Sequence, residues 1–287
     1  MDFLKLQAYG NDYVVFDERW IAGIDPLNEF MRRVCSRHYG VGADGVAVIG
    51  RAGSEADFTV LIFNADGGEA AMSGNGTRSA AAYLYYQGLW SQDRLRLSTR
   101  AGIKLYQLRE RKEPGYFRFE AEIGRPCFDS AAIPMLTEKP LPRVLNYPIV
   151  VDDEIIHVTA LQMCNPNCCV FVADFDAVDW RRLGSALETH KQFPERTNVE
   201  FVRVRDHCNI EVRVWERGVG ETLSSGTGAC AAAVAACINN HTERRVNVVM
   251  PGGELHVEWR ADEEVLLTGA VEVVFRGEWL LPNGDER

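Results

Sequence analysis

The apolar positions of this chain fall mostly into short runs. Tyr13-Val14-Val15-Phe16, Gly45-Val46-Ala47-Val48-Ile49 and Phe58-Thr59-Val60-Leu61-Ile62-Phe63 are β-branched or aromatic in character. Runs of that length and composition read as strands. Two stretches differ: Gly76–Gln87, closed by Gly88, and Gly228–Asn239 are rich in alanine and follow a glycine-rich turn. Alanine at that density predicts helices that pack closely inside a sheet layer. Asn28–Tyr39 also predicts a helix, and Arg94–Ser98, Val246–Met250 and Leu255–Trp259 predict strands. Strands outnumber helices and short turns join many neighbours. The pattern predicts an α+β fold with mostly antiparallel sheet wrapped on a central helix.

The pattern also repeats. Ser73-Gly74-Asn75-Gly76-Thr77-Arg78-Ser79-Ala80-Ala81-Ala82 is echoed by Ser225-Gly226-Thr227-Gly228-Ala229-Cys230-Ala231-Ala232-Ala233, an offset of 152 residues. Leu6-Gln7 followed by Val15-Phe16 is echoed by Leu161-Gln162 followed by Val170-Phe171, at an offset of 155. Two matches in the same order at nearly the same offset predict two related halves, each the size of an ordinary domain of roughly 150 residues. The stretch Ala131–Pro148, with Pro134, Pro140, Pro142 and Pro148, reads as the connection into the second half.

Composition narrows the function. The 287 residues are 46% hydrophobic and 25% charged, with a formal net charge of −10. That suffices for a real core and argues against disorder. The negative balance argues against nucleic acid as the main partner. No apolar run reaches the length of a membrane span. The start, Met1-Asp2-Phe3-Leu4-Lys5-Leu6-Gln7, shows no basic region followed by an apolar stretch, so a cytoplasmic location is expected. Of the eight cysteines, Cys164, Cys168 and Cys169 cluster most densely. In that setting free thiols are expected, and without paired C-x-x-C motifs no metal site.

Gly40-Val41-Gly42-Ala43-Asp44-Gly45 formally fits a dinucleotide fingerprint, which needs a strand before it and a helix after it. Here a predicted helix precedes it and a strand follows. The glycines therefore read as a helix-to-strand turn with unusual backbone angles. The two Ser-Gly-x-Gly tracts are more informative, because bare backbone N–H groups at a helix N-terminus make an anion site. One such tract would be only a helix cap. Two related by duplication suggest a small-molecule site in a cleft between facing halves. Near these turns stand Asn64, Asp66 and Glu69 in the first half and Glu216, Arg217 and Glu221 in the second. Asn11-Asp12, Asn165-Pro166-Asn167 and Asn198 lie elsewhere. Arg217 has the planar fork that clamps a carboxylate, and Glu216 beside it suits an acid/base; spacing alone fits a surface ion pair equally well.

Several motifs, in order along the chain, resemble the diaminopimelate epimerase family. They are Gly10-Asn11-Asp12-Tyr13, Arg37-His38-Tyr39-Gly40-Val41-Gly42-Ala43-Asp44-Gly45, Asn64-Ala65-Asp66-Gly67 and Gly74-Asn75-Gly76-Thr77-Arg78. Phe193-Pro194-Glu195-Arg196-Thr197-Asn198, Glu216-Arg217-Gly218-Val219-Gly220-Glu221-Thr222 and Gly226-Thr227-Gly228-Ala229-Cys230 complete the set. The resemblance implies two pseudo-symmetric halves, residues 1–117 with 271–287 and residues 118–270, with the active site in the cleft between them. It implies a cofactor-independent isomerase that interconverts LL- and meso-diaminopimelate for lysine and peptidoglycan synthesis. One thiolate removes the α-proton and a second thiol returns one on the opposite face. The implied partner is the small amino-acid substrate, with a homodimer as a candidate assembly.

Carried onto this chain, the resemblance places the proton-transfer positions at Ser73 and Ser225, which are expected to face each other across the cleft, with Glu216 beside them. It places substrate-binding groups at Asn11, Asn64, Gly74, Asn75, Asn165, Asn198, Glu216, Arg217, Gly226 and Thr227. Asp44 and Asn167 are further candidates. The family has cysteine where Ser73 and Ser225 stand, histidine where Asn167 stands, and usually glycine where Cys164 stands. A free thiol has a pKa of about 8.5, whereas an alcohol ionises far less readily. Weak epimerase activity is therefore expected, with binding better preserved than chemistry. A replacement that traps substrate, a non-catalytic binding paralogue and a changed reaction such as dehydration all fit these serines. A racemase or dehydratase of another amino acid remains an alternative.

Overall fold

The computed structural model describes residues 1–280. The final seven residues of the expected 271–287 return lie outside that range. Two compact units form: Met1–Ala121 with the segment from Gly269 onward, and Glu122–Thr268.

The first unit contains β1 (Asp2–Ala8), β2 (Asn11–Asp17), α1 (Glu18–Ile21), α2 (Leu27–Cys35), β3 (Gly45–Arg51), β4 (Phe58–Asn64) and β5 (Glu69–Ala70). It continues through α3 (Gly74–Tyr86), β6 (Arg94–Thr99), β7 (Gly102–Lys112) and β8 (Tyr116–Gly124), whose end passes into the second unit. The second unit contains β9 (Val144–Val151), β10 (Glu154–Met163), β11 (Asn165–Phe171), α4 (Trp180–Glu188), β12 (Asn198–Asp206), β13 (Asn209–Glu216) and β14 (Gly220–Thr222). Then come α5 (Gly226–Ile238), β15 (Arg245–Met250), β16 (Gly253–Trp259) and β17 (Val265–Glu278), whose later part belongs to the first unit.

In the first unit, β1 and β2 form a hairpin whose turn residues, Tyr9 and Gly10, both take positive φ. That is the backbone a two-residue hairpin turn needs. Pairing then closes a ring: β1-β2-β3-β4-β6-β7-β8-β17 and back to β1. Of these pairs, β2–β3 and β4–β6 are parallel. Helix α3 packs on β1, β2, β3, β4 and β6 and is buried from Gly76 to Tyr85. A helix that is buried all round belongs to a core, not a surface.

The second unit repeats the scheme. Strand β11 pairs in parallel with β12, which pairs antiparallel with β13, which pairs in parallel with β15. Helix α5 takes the place of α3, packing on β10, β11, β12, β13, β15 and β16. Outer helices cover the sheets: α2 buries Phe30, Met31 and Val34 against Phe16, Val46, Val48 and Phe63. Likewise α4 buries Trp180, Leu183 and Leu187 against Val199 and Phe201. The α+β class and the paired halves are as the pattern predicts.

Two expectations need correction. The helix predicted over 28–39 ends at Cys35, because the chain turns back and the Val34 carbonyl accepts from both Val41 and Gly42 N–H at 3.0 Å. Gly40 is required there: a Cβ would sit 2.0 Å from the Arg33 carbonyl oxygen. The proline-rich stretch 131–148 is not a bare connection. Ile133, Met135 and Val144 within it are buried in the core of the second unit.

Candidate active site

Each central helix begins on a serine. Ser73 has extended backbone (φ −137°, ψ 127°), and its Oγ accepts the Gly76 N–H at 3.1 Å. Ser225 is nearly superposable in conformation (φ −135°, ψ 124°), and its Oγ accepts the Gly228 N–H at 3.2 Å. Such caps stabilise a helix by about 1 kcal/mol and put the positive end of its dipole beside the hydroxyl.

In the first unit the caps are backed by a polar chain. Asn75 Nδ2 donates to Asn11 Oδ1 at 3.1 Å, and Asn11 Nδ2 donates to Asp44 Oδ2 at 2.9 Å. Asp44 also accepts the Asp12 N–H at 3.0 Å and pairs with Arg37 at 2.7 Å. Asp44 thus orients Asn11. Arg78, on the same helix and 2% exposed, donates to Asn75 Oδ1 at 2.9 Å, while its Nε has no hydrogen-bond partner among the described residues. Asn64 ends β4, exposed, opposite Gly45. Nothing stands within 4 Å of where a Gly74 side chain would begin.

In the second unit Asn167 is fully buried. Its amide nitrogen donates to the Asn165 carbonyl at 2.6 Å, and its Oδ1 accepts from Asn198 at 3.3 Å. Asn198 Oδ1 in turn accepts the Arg217 N–H at 2.9 Å. The side chain of Arg217 is exposed and donates to the Glu195 carbonyl at 3.1 Å. Among the described residues it has no carboxylate partner, so the surface ion pair with Glu216 does not form. Burial pushes the Glu216 carboxyl above its ordinary value, and the Ser225 hydroxyl pulls it partly back. Gly226 and Thr227 open α5 beside Ser225.

Asn11, Asp44, Asn75 and Ser73 therefore stand in one unit, with Asn64 and Gly74. Asn165, Asn167, Asn198, Arg217, Glu216 and Ser225 stand in the other, with Gly226 and Thr227. Among the described residues no cluster of His, Cys, Asp and Glu is arranged to hold a metal ion. No disulfide joins the eight cysteines.

Three supporting residues escape the sequence argument. Tyr13 donates its hydroxyl to Ser73 Oγ at 2.8 Å. Glu188 accepts from Trp215 Nε1 and from the Gly218 N–H, both at 2.8 Å, and so ties α4 to the turn that carries Arg217. Glu200 is fully buried beside α5; its Oε2 accepts from the Cys169 thiol at 3.7 Å, and its Oε1 has no partner among the described residues. Burial holds its carboxyl well above the usual carboxylate range. The signal for Tyr13 was its place in Gly10-Asn11-Asp12-Tyr13. For Glu200 it was an acid set between the apolar Val199 and Phe201 in the buried first half of β12.

Comparison with known proteins supplies the family. The sequence profile described as diaminopimelate epimerase matches residues 3–126 and 159–274. The diaminopimelate epimerase of Pelotomaculum thermopropionicum is 42% identical over 97% of this chain and 99% of its own length. That of Desulfitobacterium hafniense is 39% identical over 96% of this chain and 97% of its own. A solved phenazine biosynthesis protein of the PhzF family from Bacillus anthracis shares the fold, with a TM-score of 0.68 at 17% identity, covering 98% of this chain and 99% of that one. So does a hydroxyproline epimerase from Agrobacterium vitis, with a TM-score of 0.66 at 15% identity over 96% and 91% of the two chains. The identity and near-complete coverage of the first two relatives, with the matched profile, show that this chain belongs to the diaminopimelate epimerase family.

Proposed function

We propose that this protein binds diaminopimelate and exchanges its α-proton between the LL and meso forms, slowly, because hydroxyls stand at both proton-transfer positions. The observation that supports this reading is the duplicated cap: Ser73 and Ser225, at equivalent places in the repeat, each start a buried helix and accept its first N–H. A carbanion formed without a cofactor needs fixed donors at the neighbouring carboxylate, and helix N-termini supply them without reorganisation. Asn11, Asn64, Asn75, Asn165 and Asn198 supply further amide groups, and Arg217, which has no carboxylate partner among the described residues, offers its guanidinium to the distal carboxylate. One half-site removes the α-proton and the other returns one. Serine is poor at both tasks, since each pKa unit of mismatch costs about 1.4 kcal/mol if fully felt in the barrier.

The same reading makes the protein a cytoplasmic enzyme of lysine and peptidoglycan precursor synthesis, with a homodimer as its assembly. Support for the partner class is that no helix among the described residues is long and apolar enough to cross a membrane, and that the net charge is −10. The test is calorimetric binding of diaminopimelate alongside NMR of its α-hydrogen in D₂O. Binding with slow deuterium incorporation is expected. Absence of binding to both LL and meso forms contradicts the proposal.

A further inference from the structure

Ser73 and Ser225 have matching backbones, yet different groups stand at their hydroxyls. The Tyr13 phenol donates to Ser73 Oγ at 2.8 Å, and the Gly76 N–H donates to the same oxygen at 3.1 Å. A serine oxygen has two lone pairs and one hydrogen to give. Both lone pairs of Ser73 are taken, so as a neutral hydroxyl it can only donate. If that oxygen loses its proton, two fixed donors already face the negative charge.

The phenol is held there by design of the packing. The Tyr13 ring lies in a slot made by two glycines, and the residue is 5% exposed. A Cβ at Gly45 would meet its Cε1 at 2.6 Å, and one at Gly76 would meet the same atom at 2.8 Å. Both glycines belong to motifs that carry the family resemblance. In the second unit the position paired in parallel as Tyr13 is with Gly45 is Asn167, paired with Asn198. Among the described residues that unit has no phenol donating to its serine, and the neighbour there is the Glu216 carboxyl.

We propose that Tyr13 is a positioning residue that stabilises negative charge on the side chain at position 73, making this half-site the better seat for an anion. A hydrogen bond donated to the charged form favours it. The inference rests on the functional reading above only for its consequence in catalysis; the charge stabilisation itself is measurable without substrate. Other ionisable groups on the elements around the ring include Lys5 on β1, Asp12 on β2, Asp44 at the entry to β3, Arg78 on α3 and Tyr106 on β7. Asp12 is spent on Lys5 and Arg37, Asp44 on Arg37 and Asn11, Arg78 on Asn75, and Tyr106 on Thr77. Replacing the phenol leaves all of these in place.

The experiment places a thiol as the reporter. In Ser73→Cys protein, iodoacetamide alkylation at residue 73 is followed by mass spectrometry across pH, with and without Tyr13→Phe. The expected result is that Tyr13→Phe slows alkylation of residue 73 about tenfold at pH 7 and raises its titration midpoint by about one unit. As a second arm, replacement of tyrosine by 3-fluorotyrosine, a stronger donor, is expected to lower the midpoint and keeps the test open if the phenylalanine variant folds poorly. Identical midpoints in the phenol, phenyl and fluorophenol proteins overturn the proposal. Diaminopimelate binding, measured in parallel, reports separately on the functional reading: loss of binding with the midpoint shift intact refutes that reading and leaves the role of Tyr13 standing.

Discussion

At the scale of single residues, charge and burial decide most outcomes. Arg217 is held by its own backbone N–H on Asn198 and by the Glu188-anchored turn, leaving its guanidinium free of carboxylates among the described residues. Arg217→Ala is expected to weaken diaminopimelate binding by about 2–5 kcal/mol, the range for truncating one partner of a buried charge pair. Unchanged affinity by calorimetry removes Arg217 from the site. Glu200 makes a separate prediction. Its folded carboxyl is held above its unfolded value, so the fold favours the protonated form. The cost of ionising it is absent below the unfolded pKa and grows as pH rises towards the folded one. Glu200→Gln has no such cost. Its melting temperature relative to the parent is therefore expected to improve as pH rises above the ordinary carboxylate range, and a pH-independent difference contradicts this account.

At the scale of elements, the two capped helices were legible because several local signals agree: a serine, a glycine turn and a run of alanine. Strands such as β15 and β16 were legible because their inward positions, Val246, Val248 and Met250, then Leu255, Val257 and Trp259, alternate. What the pattern did not carry was tertiary. The early end of α2 depends on the returning chain occupying the Val34 carbonyl, and residues 131–148 pack because Ile133 and Met135 meet a core formed by distant strands. The contact of Tyr13 with Ser73 joins residues 60 apart in sequence, so no spacing rule reveals it. The glycines of α3 make this testable. Gly76→Ala puts a methyl against the Tyr13 ring and Ile62 Cδ1, the latter at 2.9 Å, and is expected to cost about 1–3 kcal/mol of stability in urea unfolding. Gly74→Ala meets nothing within 4 Å and is expected to keep stability while weakening diaminopimelate binding, because the added methyl stands where ligand is proposed. Equal stability losses in the two variants contradict this packing account.

At the scale of the molecule, duplication explains the pairing of like parts and divergence explains their unequal chemistry. Each unit repeats the same parallel and antiparallel strand pairs around a buried helix, and each starts that helix on serine. The residues around those serines then differ: Tyr13, Asn75 and Arg78 in one, Glu216, Thr227 and Cys230 in the other. On the proposed reading, both groups that would move the proton are hydroxyls. The central claim is that positions 73 and 225 are the acid and base. It is tested most directly by the combined variant Ser73→Cys, Ser225→Cys and Asn167→His, assayed by NMR for α-deuterium incorporation into LL- and meso-diaminopimelate in D₂O. The account predicts a rise of about 10²–10⁴-fold over the parent, with the pair of cysteines exceeding the sum of the two single replacements. A variant that folds, binds diaminopimelate and exchanges the α-hydrogen no faster than the parent contradicts it.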